Sequence, residues 1–502
     1  MKAKHISIYI ITILFFTITG CKKVLNEPIL GQYVAGDFFT NNANATLAVN
    51  AAYTSLTFTS VPSNAIWVLG DVASDDALKG GSAGDNADFQ LIHDFNIVPS
   101  NTAVEAVWAL NYHGVFTCNV VTDGLNGNNN TAIYATVKTQ ALGQAEFLRA
   151  YYYFNLTTAY GAIPLHLKVE TPAEAQKPIS PQTAVYAQIE ADCTAAAASL
   201  PVSWTGADIG RATKGAALAL LAKTYLFEQK WALAASTAQQ VDALGVYSLL
   251  PVFADNFRAA TKNNAECVFS VQHQTGLTPA QGNGLNQWFA PVPLNGYGFF
   301  LPTQSLVSSF EVSTTGVADP RLNYSIAMAG QPYFDSTFDP TWTSTGYLSK
   351  KHCQPLSEIP TTTKGDGNLN YQAIRFADVL LIEAEALNEL GNSSAALVPL
   401  NRIRKRARES YMYDSTLPGY PVVPAGLLPD ITTTDQTQLR AIIRQERRSE
   451  LALEFHRFFD IIRYGQAYAT SALSDRPLFN YNTNKFFPIP ESERLTNPNL
   501  GL

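Results

Sequence analysis

The chain has 502 residues, of which 46% are hydrophobic and 15% charged, and its formal net charge is -7. That composition excludes a disordered chain and describes an ordered one with a sizeable core. An acidic balance argues against polyanionic partners, because nucleic-acid binding uses a basic surface to displace counterions, so no nucleic-acid partner is expected.

The amino terminus reads as an export signal. Lys2 and Lys4 form a short positive region, and Ile6 to Ile18 form an apolar stretch broken only by Ser, Thr and Tyr. It is shorter than the ~20 apolar residues that a membrane-spanning helix needs. Small residues in Ile18-Thr19-Gly20 then precede Cys21, as at a cleavage site. One reading is a secretory leader with an accidental cysteine. The favoured one is a lipobox: residues 1–20 are a lipoprotein signal peptide, the Cys21 thiol takes a diacylglyceryl group, and cleavage frees an amine that is then acylated. Several acyl chains anchor firmly where one holds marginally. Removal of Lys2 and Lys4 with the leader takes the formal charge from -7 to -9. No later stretch is long and apolar enough to span a membrane.

Apolar residues recur at three and four over 41–57, 103–126, 134–160 and 182–199, which predicts helices separated by turn signals such as "NGNNN" and "YGAIP". Between the first two lies an acidic loop, 71–88, with Asp71, Asp75, Asp76, Asp85 and Asp88. A solvated loop is its simplest reading, and hydrogen bonding of Asp75 or Asp76 to a polar ligand is the second. Its spacing is not that of an EF-hand, so no cofactor is expected, although oxygen-rich loops can hold Ca²⁺. Within it "GGSAG" matches the G-x-S-x-G nucleophile motif, but "SDDALK" and "DNADFQ" do not read as the strand and helix that the motif needs.

Two segments repeat one another. "ALALLAKTYLFEQKWALAASTAQQV" (217–241) and "DVLLIEAEALNELGNSSAALVPLNRI" (378–403) read helix, turn, helix, with Ala222 matching Ala384, Tyr225 Leu387, Gln229 Gly391 and Ala234 Ala396 at one constant offset. This is the pattern of a tetratricopeptide-type unit of about 34 residues. Between the repeats, "GNGLNQWFAPVPLNGYGFFLPTQ" (282–304) sets Trp288, Phe289, Tyr297, Phe299 and Phe300 among Gly, Pro and Asn. Some of these rings plug the loop onto the core. Exposed ones would offer flat apolar platforms, and a sugar, with an apolar CH face ringed by hydroxyls, suits such a platform. Trp67 and Trp342 are further candidates, while Trp108 and Trp231 fall in helical text.

No catalytic role is expected. The histidines at 93, 113, 166, 273, 352 and 456 show no HExxH spacing, and no P-loop or dinucleotide fingerprint is present. Cys118, Cys193, Cys267 and Cys353 contain no CxxC and read as buried free thiols. Residues 410–437 are loop-like, with four prolines. The segment 439–463 reads as one helix, with Leu451, Phe455, Phe458, Phe459 and Ile462 on its apolar face and Arg447, Glu450, Glu454 and Arg457 near enough for ion pairs on one side.

The segment "LRAIIRQERRSELALEFHRFFDIIRYG" followed by "FFPIPESERLTNPNLGL", together with "EFLRAYYYFNLTTAYGAIPL", "KGAALALLAKTYL", "LNRIRKRA" and "CKKVLNEP", closely resembles the SusD/RagB-like outer-membrane lipoproteins over nearly the whole mature chain. The expected fold is mainly α: tetratricopeptide-like helix pairs form a scaffold, about 40–245 and 372–465, carrying a loop-rich, ligand-facing insertion with a few short strands, about 246–371, within one domain over 21–502. The resemblance implies a surface-exposed lipoprotein that captures an oligosaccharide and delivers it to a SusC-like TonB-dependent transporter. A peptide-binding repeat scaffold and a helical glycan-cleaving enzyme stay open as alternatives.

Overall fold

The computed structural model describes residues 38–360 and 365–501. Ten helices form its scaffold: α1 (Asn42–Tyr53), α2 (Thr102–Leu125), α3 (Ala135–Tyr160), α4 (Gln182–Ser199), α5 (Lys214–Phe227), α6 (Trp231–Ala243), α7 (Phe376–Glu389), α8 (Ser393–Tyr413), α9 (Gln436–Glu450) and α10 (Arg457–Arg463). Side-chain caps start several of them. Asn101 accepts from the amides of Ala103 and Val104, Thr213 from Ala216 and Asp435 from Gln438, each satisfying donors that a helix start leaves open. None of the described helices is long and apolar enough to cross a membrane.

From α2 to α8 each helix packs on the next, including α6 on α7, although the chain leaves at Ala243 and returns only at Phe376. The two repeat hairpins, α5–α6 and α7–α8, are therefore neighbours in one stack. Ala222, Ala234, Ala384 and Ala396 are all fully buried, so the matched small residues sit where helices approach most closely. The turns match as well. Gln229 and Gly391 occupy the same position and both adopt left-handed backbone, at φ 59° and 79°. The mainly helical scaffold inferred from the sequence is what the chain forms.

The segment between α6 and α7 holds short strands. β2 (Cys267–Val271) pairs antiparallel with β4 (Tyr371–Arg375), which runs directly into α7. Further forward, β1 (Ala77–Gly80) pairs antiparallel with β3 (Phe299–Pro302). Among the described residues every sheet has two strands. Cys118, Cys193, Cys267 and Cys353 are free thiols.

One expectation fails. The segment 439–463 is not a continuous helix: α9 stops at Glu450, Leu453 and Phe455 take left-handed backbone, and α10 begins at Arg457. The cause is ionic. Arg447, Glu450, Glu454 and Arg457 do not pair with one another along a helix face but with four different parts of the chain. Arg447 reaches Asp378 and Asp460; Glu450 meets Arg321, Arg375 and Arg406; Glu454 meets Arg375 and Lys351; Arg457 meets Asp75. The break turns Glu454 inward toward β4 and lets Phe455 stack on Tyr371 and His352, at ring separations of 5.2 and 4.5 Å. The Asp71 carboxylate accepts from the amides of Phe455 (2.9 Å) and Arg457 (3.1 Å), which fixes the restart.

The repeat turns give opposite expectations for two substitutions. Gly391 has nothing within reach of an added Cβ, so Gly391→Ala adds backbone strain alone and should lower stability by about 1 kcal/mol. Gln229→Gly removes that strain at the equivalent position and should raise stability by about 0.5 kcal/mol, since glycine's chain entropy offsets part of the gain. Thermal melting of the two variants checks the signs.

Candidate functional site

Trp67 sits at the centre of an aromatic cluster. Its ring meets Phe289 at 5.2 Å, Phe89 at 5.4 Å, Phe300 at 5.7 Å, Phe299 at 6.3 Å and Trp288 at 6.4 Å, all edge-on. Trp67, Phe289 and Phe299 are buried. They are the floor of the region and offer no face to a ligand, which corrects the expectation that they stack on one. An apolar ring with this many ring neighbours gains more from the core than from solvent.

Two rings reach the outside. Trp288 is half-buried, lies 4.8 Å from Phe299, and is edge-on to Tyr297 at 5.9 Å. Tyr297 is 48% exposed. The backbone holds them tightly. Tyr297 donates its amide to the Gln287 carbonyl and Gly298 to that of Ala290, both at 2.9 Å. A Cβ on Gly296 would lie 1.9 Å from the Ala290 carbonyl oxygen, so only glycine closes this turn.

The "GGSAG" loop forms the adjoining rim. Gly81 donates to the Gly298 carbonyl at 2.8 Å, and a Cβ there would lie 2.8 Å from the Phe299 ring. Lys79 Nζ lies 5.7 Å above the same ring and donates to the carbonyls of Ser82 (2.9 Å) and Asp85 (2.6 Å), which folds the loop back on itself. Residues Gly81 to Ala87 are exposed beside the aromatic edge. The flanks differ from expectation: β1 precedes the loop and a short helix, Ala87–His93, follows it. Ser82 has no histidine partner among the described residues, so the nucleophile reading gains nothing from that change.

Asp75 and Asp76 are buried, which corrects the reading of this stretch as a solvated loop and leaves neither carboxylate open to a ligand. Asp75 takes a two-pronged contact from Arg457 (2.8 and 3.0 Å), and Arg448 bridges Asp75 (2.9 Å) and Asp76 (2.7 Å). Burial works to raise the Asp75 pKa, but Arg457 and then Arg448 hold it below the ordinary carboxylate value. Burial and then the neighbouring Asp76 push the Asp71 carboxyl up to about 8, against the pull of its two amide donors. Asp85 and Asp88 accept from the amides of Ser82 and Thr102. Among the described residues there is no group of three or more His, Cys, Asp or Glu that could hold a metal ion.

Trp342 stands apart. It is half-buried against Phe338 at 5.7 Å and joins none of the rings around Trp67. Cys21 lies outside the described residues. Of the sequence candidates, the structure brings Trp288 and Tyr297 together at a surface. Sequence reasoning missed Phe89, Gly81 and Lys79, which support and border that surface; the pairing of β1 with β3 that unites them spans more than 200 residues and leaves no local signal.

The SusD family model matches residues 265–501, and the model described as "Starch-binding associating with outer membrane" matches residues 38–226. The chain belongs to the SusD/RagB-like family. That membership implies association with the outer membrane. SusD-like protein P2 of Formosa agariphila is 27% identical over 97% of both chains. A solved structure described as a laminarin-binding SusD-like protein is 26% identical, with a TM-score of 0.74 over 91% of this SusD-like chain and 98% of its own. A SusD-like carbohydrate-binding protein from Bacteroides fragilis is 25% identical, with a TM-score of 0.77 over 92% and 99%.

The arginine contacts of the SusD-like chain's acidic segment set a prediction. Asp75→Ala leaves Arg457 and Arg448 short of a buried counter-ion and should cost about 3–5 kcal/mol of stability. Thermal melting of this variant should fall sharply, whereas a solvent-exposed ligand contact would leave it unchanged.

Proposed function

We propose that this SusD-like lipoprotein captures a carbohydrate nutrient on the face bordered by Trp288, Tyr297 and the Gly81–Ala87 rim, without cleaving it. The carrying observation is the two-layer arrangement: Trp288 packed on a buried aromatic floor with Tyr297 edge-on to it, beside a polar rim of exposed backbone and small side chains. A sugar ring has one apolar CH face and a hydroxyl edge, and this surface offers a partner to each. The carbohydrate-binding descriptions of two structural neighbours support the same class of ligand.

The protein is tethered through acylated Cys21 to the outer membrane, faces the exterior, and passes the glycan to a SusC-like TonB-dependent transporter. A tethered binder serves uptake only beside a pore. The Ile-Thr-Gly-Cys sequence supports the anchor, and family membership supports the partner.

Trp288→Ala and Tyr297→Ala should each weaken binding of a glycan found by array screening by roughly 2 kcal/mol or more, about thirtyfold in Kd, with melting temperatures near that of the parent. Calorimetry paired with thermal melting reads both. Affinity retained in both variants would place the ligand elsewhere, capture of peptides alone would favour the repeat-scaffold reading, and shortened glycan products on chromatography would make the protein an enzyme.

The anchor and partner have their own test. Cys21→Ala should shift the protein from the membrane to the soluble fraction and abolish fatty-acid labelling. Gentle detergent extraction of the parent should recover a large outer-membrane barrel through an interface of ~1,200–2,000 Å² or more. Unchanged fractionation, or a crosslinked sample containing no barrel, overturns the respective half.

A further inference from the structure

A second depression lies away from the aromatic face. It is a groove of about 450 Å³ between the end of α1, the turn 206–211 and the outer end of β2, and it continues past Arg211 and Asn263 into a smaller one of about 150 Å³ beside Trp204 and Tyr247. Its wall is fixed. Asn263 and Gln272 exchange side-chain hydrogen bonds (3.0 and 2.9 Å), and Asn370 donates to Gln272 at 2.9 Å. A Cβ on Gly210, which is at φ 97°, would lie 2.4 Å from the Gln272 side chain, so the turn seats directly on that wall.

The groove holds one uncompensated cation in an acidic protein. Arg211 and Lys262 line it, and no Asp or Glu does. Lys262 Nζ donates to the His273 carbonyl and to Asn368 Oδ1, both at 2.9 Å, and makes no ion pair among the described residues. Those two neutral acceptors hold the ammonium in place and leave its charge uncompensated. Arg211 is ion-paired through Nε with Asp208 (2.7 Å) and donates from Nη1 to Asn50 (2.9 Å) and Gln144 (3.3 Å), so the uncompensated charge is that of Lys262; Arg211 Nη2, which has no partner among the described residues, adds a donor. A partly desolvated ammonium with no counter-ion favours an anion over a further neutral acceptor, because a charge-assisted bond to a carboxylate or sulfate is about twice as strong as a neutral one. Exposed Ile209 (50%) and Leu277 (44%) add apolar edges.

We propose that this groove is a second saccharide subsite that selects acidic sugars, with Lys262 and Arg211 holding a carboxylate or sulfate carried on the glycan. It rests on the carbohydrate reading above but uses none of the same residues. The aromatic face takes the neutral part of a chain, and the groove reads its charge.

Calorimetry with trigalacturonate, a sulfated carrageenan tetrasaccharide and neutral maltotriose tests it. The expected result is that at least one acidic probe binds about tenfold tighter than the neutral one, and more weakly as salt rises toward ~1 M. Lys262→Gln should lose that preference while Lys262→Arg keeps it, with melting temperatures of both close to the parent. Preference for trigalacturonate over the carrageenan fragment identifies carboxylate as the anion, and the reverse identifies sulfate. Equal affinity for acidic and neutral probes, or a preference that survives Lys262→Gln, overturns the proposal. Acidic binding dependent on Lys262 without any neutral-glycan binding upholds the groove and fails the aromatic face; neutral binding alone does the opposite.

Discussion

The structure depends on a buried set of ion pairs around Glu450. Arg321, Arg375, Arg404, Arg406 and Lys351 face Asp319, Glu266, Glu446, Glu450 and Glu454, five cations against five carboxylates, every side chain nearly inaccessible. Taking one such charge out of water costs several kcal/mol, so no member is tolerable without the rest. Burial opposes the charge on Glu454, yet Arg375 and Lys351 bring its pKa down to about 2. The ring of Phe253 covers Lys351, Arg406 and Arg375 at 4.9, 5.0 and 5.6 Å, shielding those three cations. Because its members come from the insertion, from β4, from α8 and from α9, the set welds the loop-rich region to the helical stack.

That dependence explains what the sequence discloses and what it conceals. The helices α2, α3 and α4 follow local periodicity and lie within a residue or so of where their apolar spacing puts them. The repeat is legible for the same reason, down to a turn where Gln229 does the work of Gly391. Asp75 and Asp76 look like a solvated acidic loop because their partners lie in α9 and at the start of α10; Asp76 and Arg448 are 372 residues apart. No local pattern reports a charge met from that distance. The same applies to Trp67, whose Gly and Asp neighbours suggest a loop while its ring neighbours come from 289 and 299–300. The break at Leu453–Phe455 is concealed most deeply, since the helical spacing of 439–463 is sound and is overruled by ion partners on other elements.

The aromatic region is layered in a way composition alone does not reveal. Of the rings between 288 and 300, Phe289, Phe299 and Phe300 are spent on the floor, and Trp288 and Tyr297 remain at the edge. Contacts with Trp67, Phe89 and Phe299 restrict the rotation of Trp288, and Tyr297 lies edge-on to it. Such preorganisation reduces the ordering cost that weakens binding by flexible loops.

The pairing of β2 with β4 has a consequence for how this architecture changes. Cys267 lies opposite Arg375 and Val271 opposite Tyr371, so the way out of the stack and the way back stand side by side, and β4 leads at once into α7. Residues 272–370 leave and re-enter the stack at this neck, and Asp319, Arg321 and Lys351 fasten them to it a second time. The entropy lost in closing such a loop grows only with the logarithm of its length, about 0.6 kcal/mol for each doubling. Lengthening the exposed turns between these anchors is then thermodynamically cheap so long as the neck, the ion pairs of Asp319, Arg321 and Lys351 and the buried rings stay intact. The helical stack can keep its register while the surface it presents drifts toward new ligands.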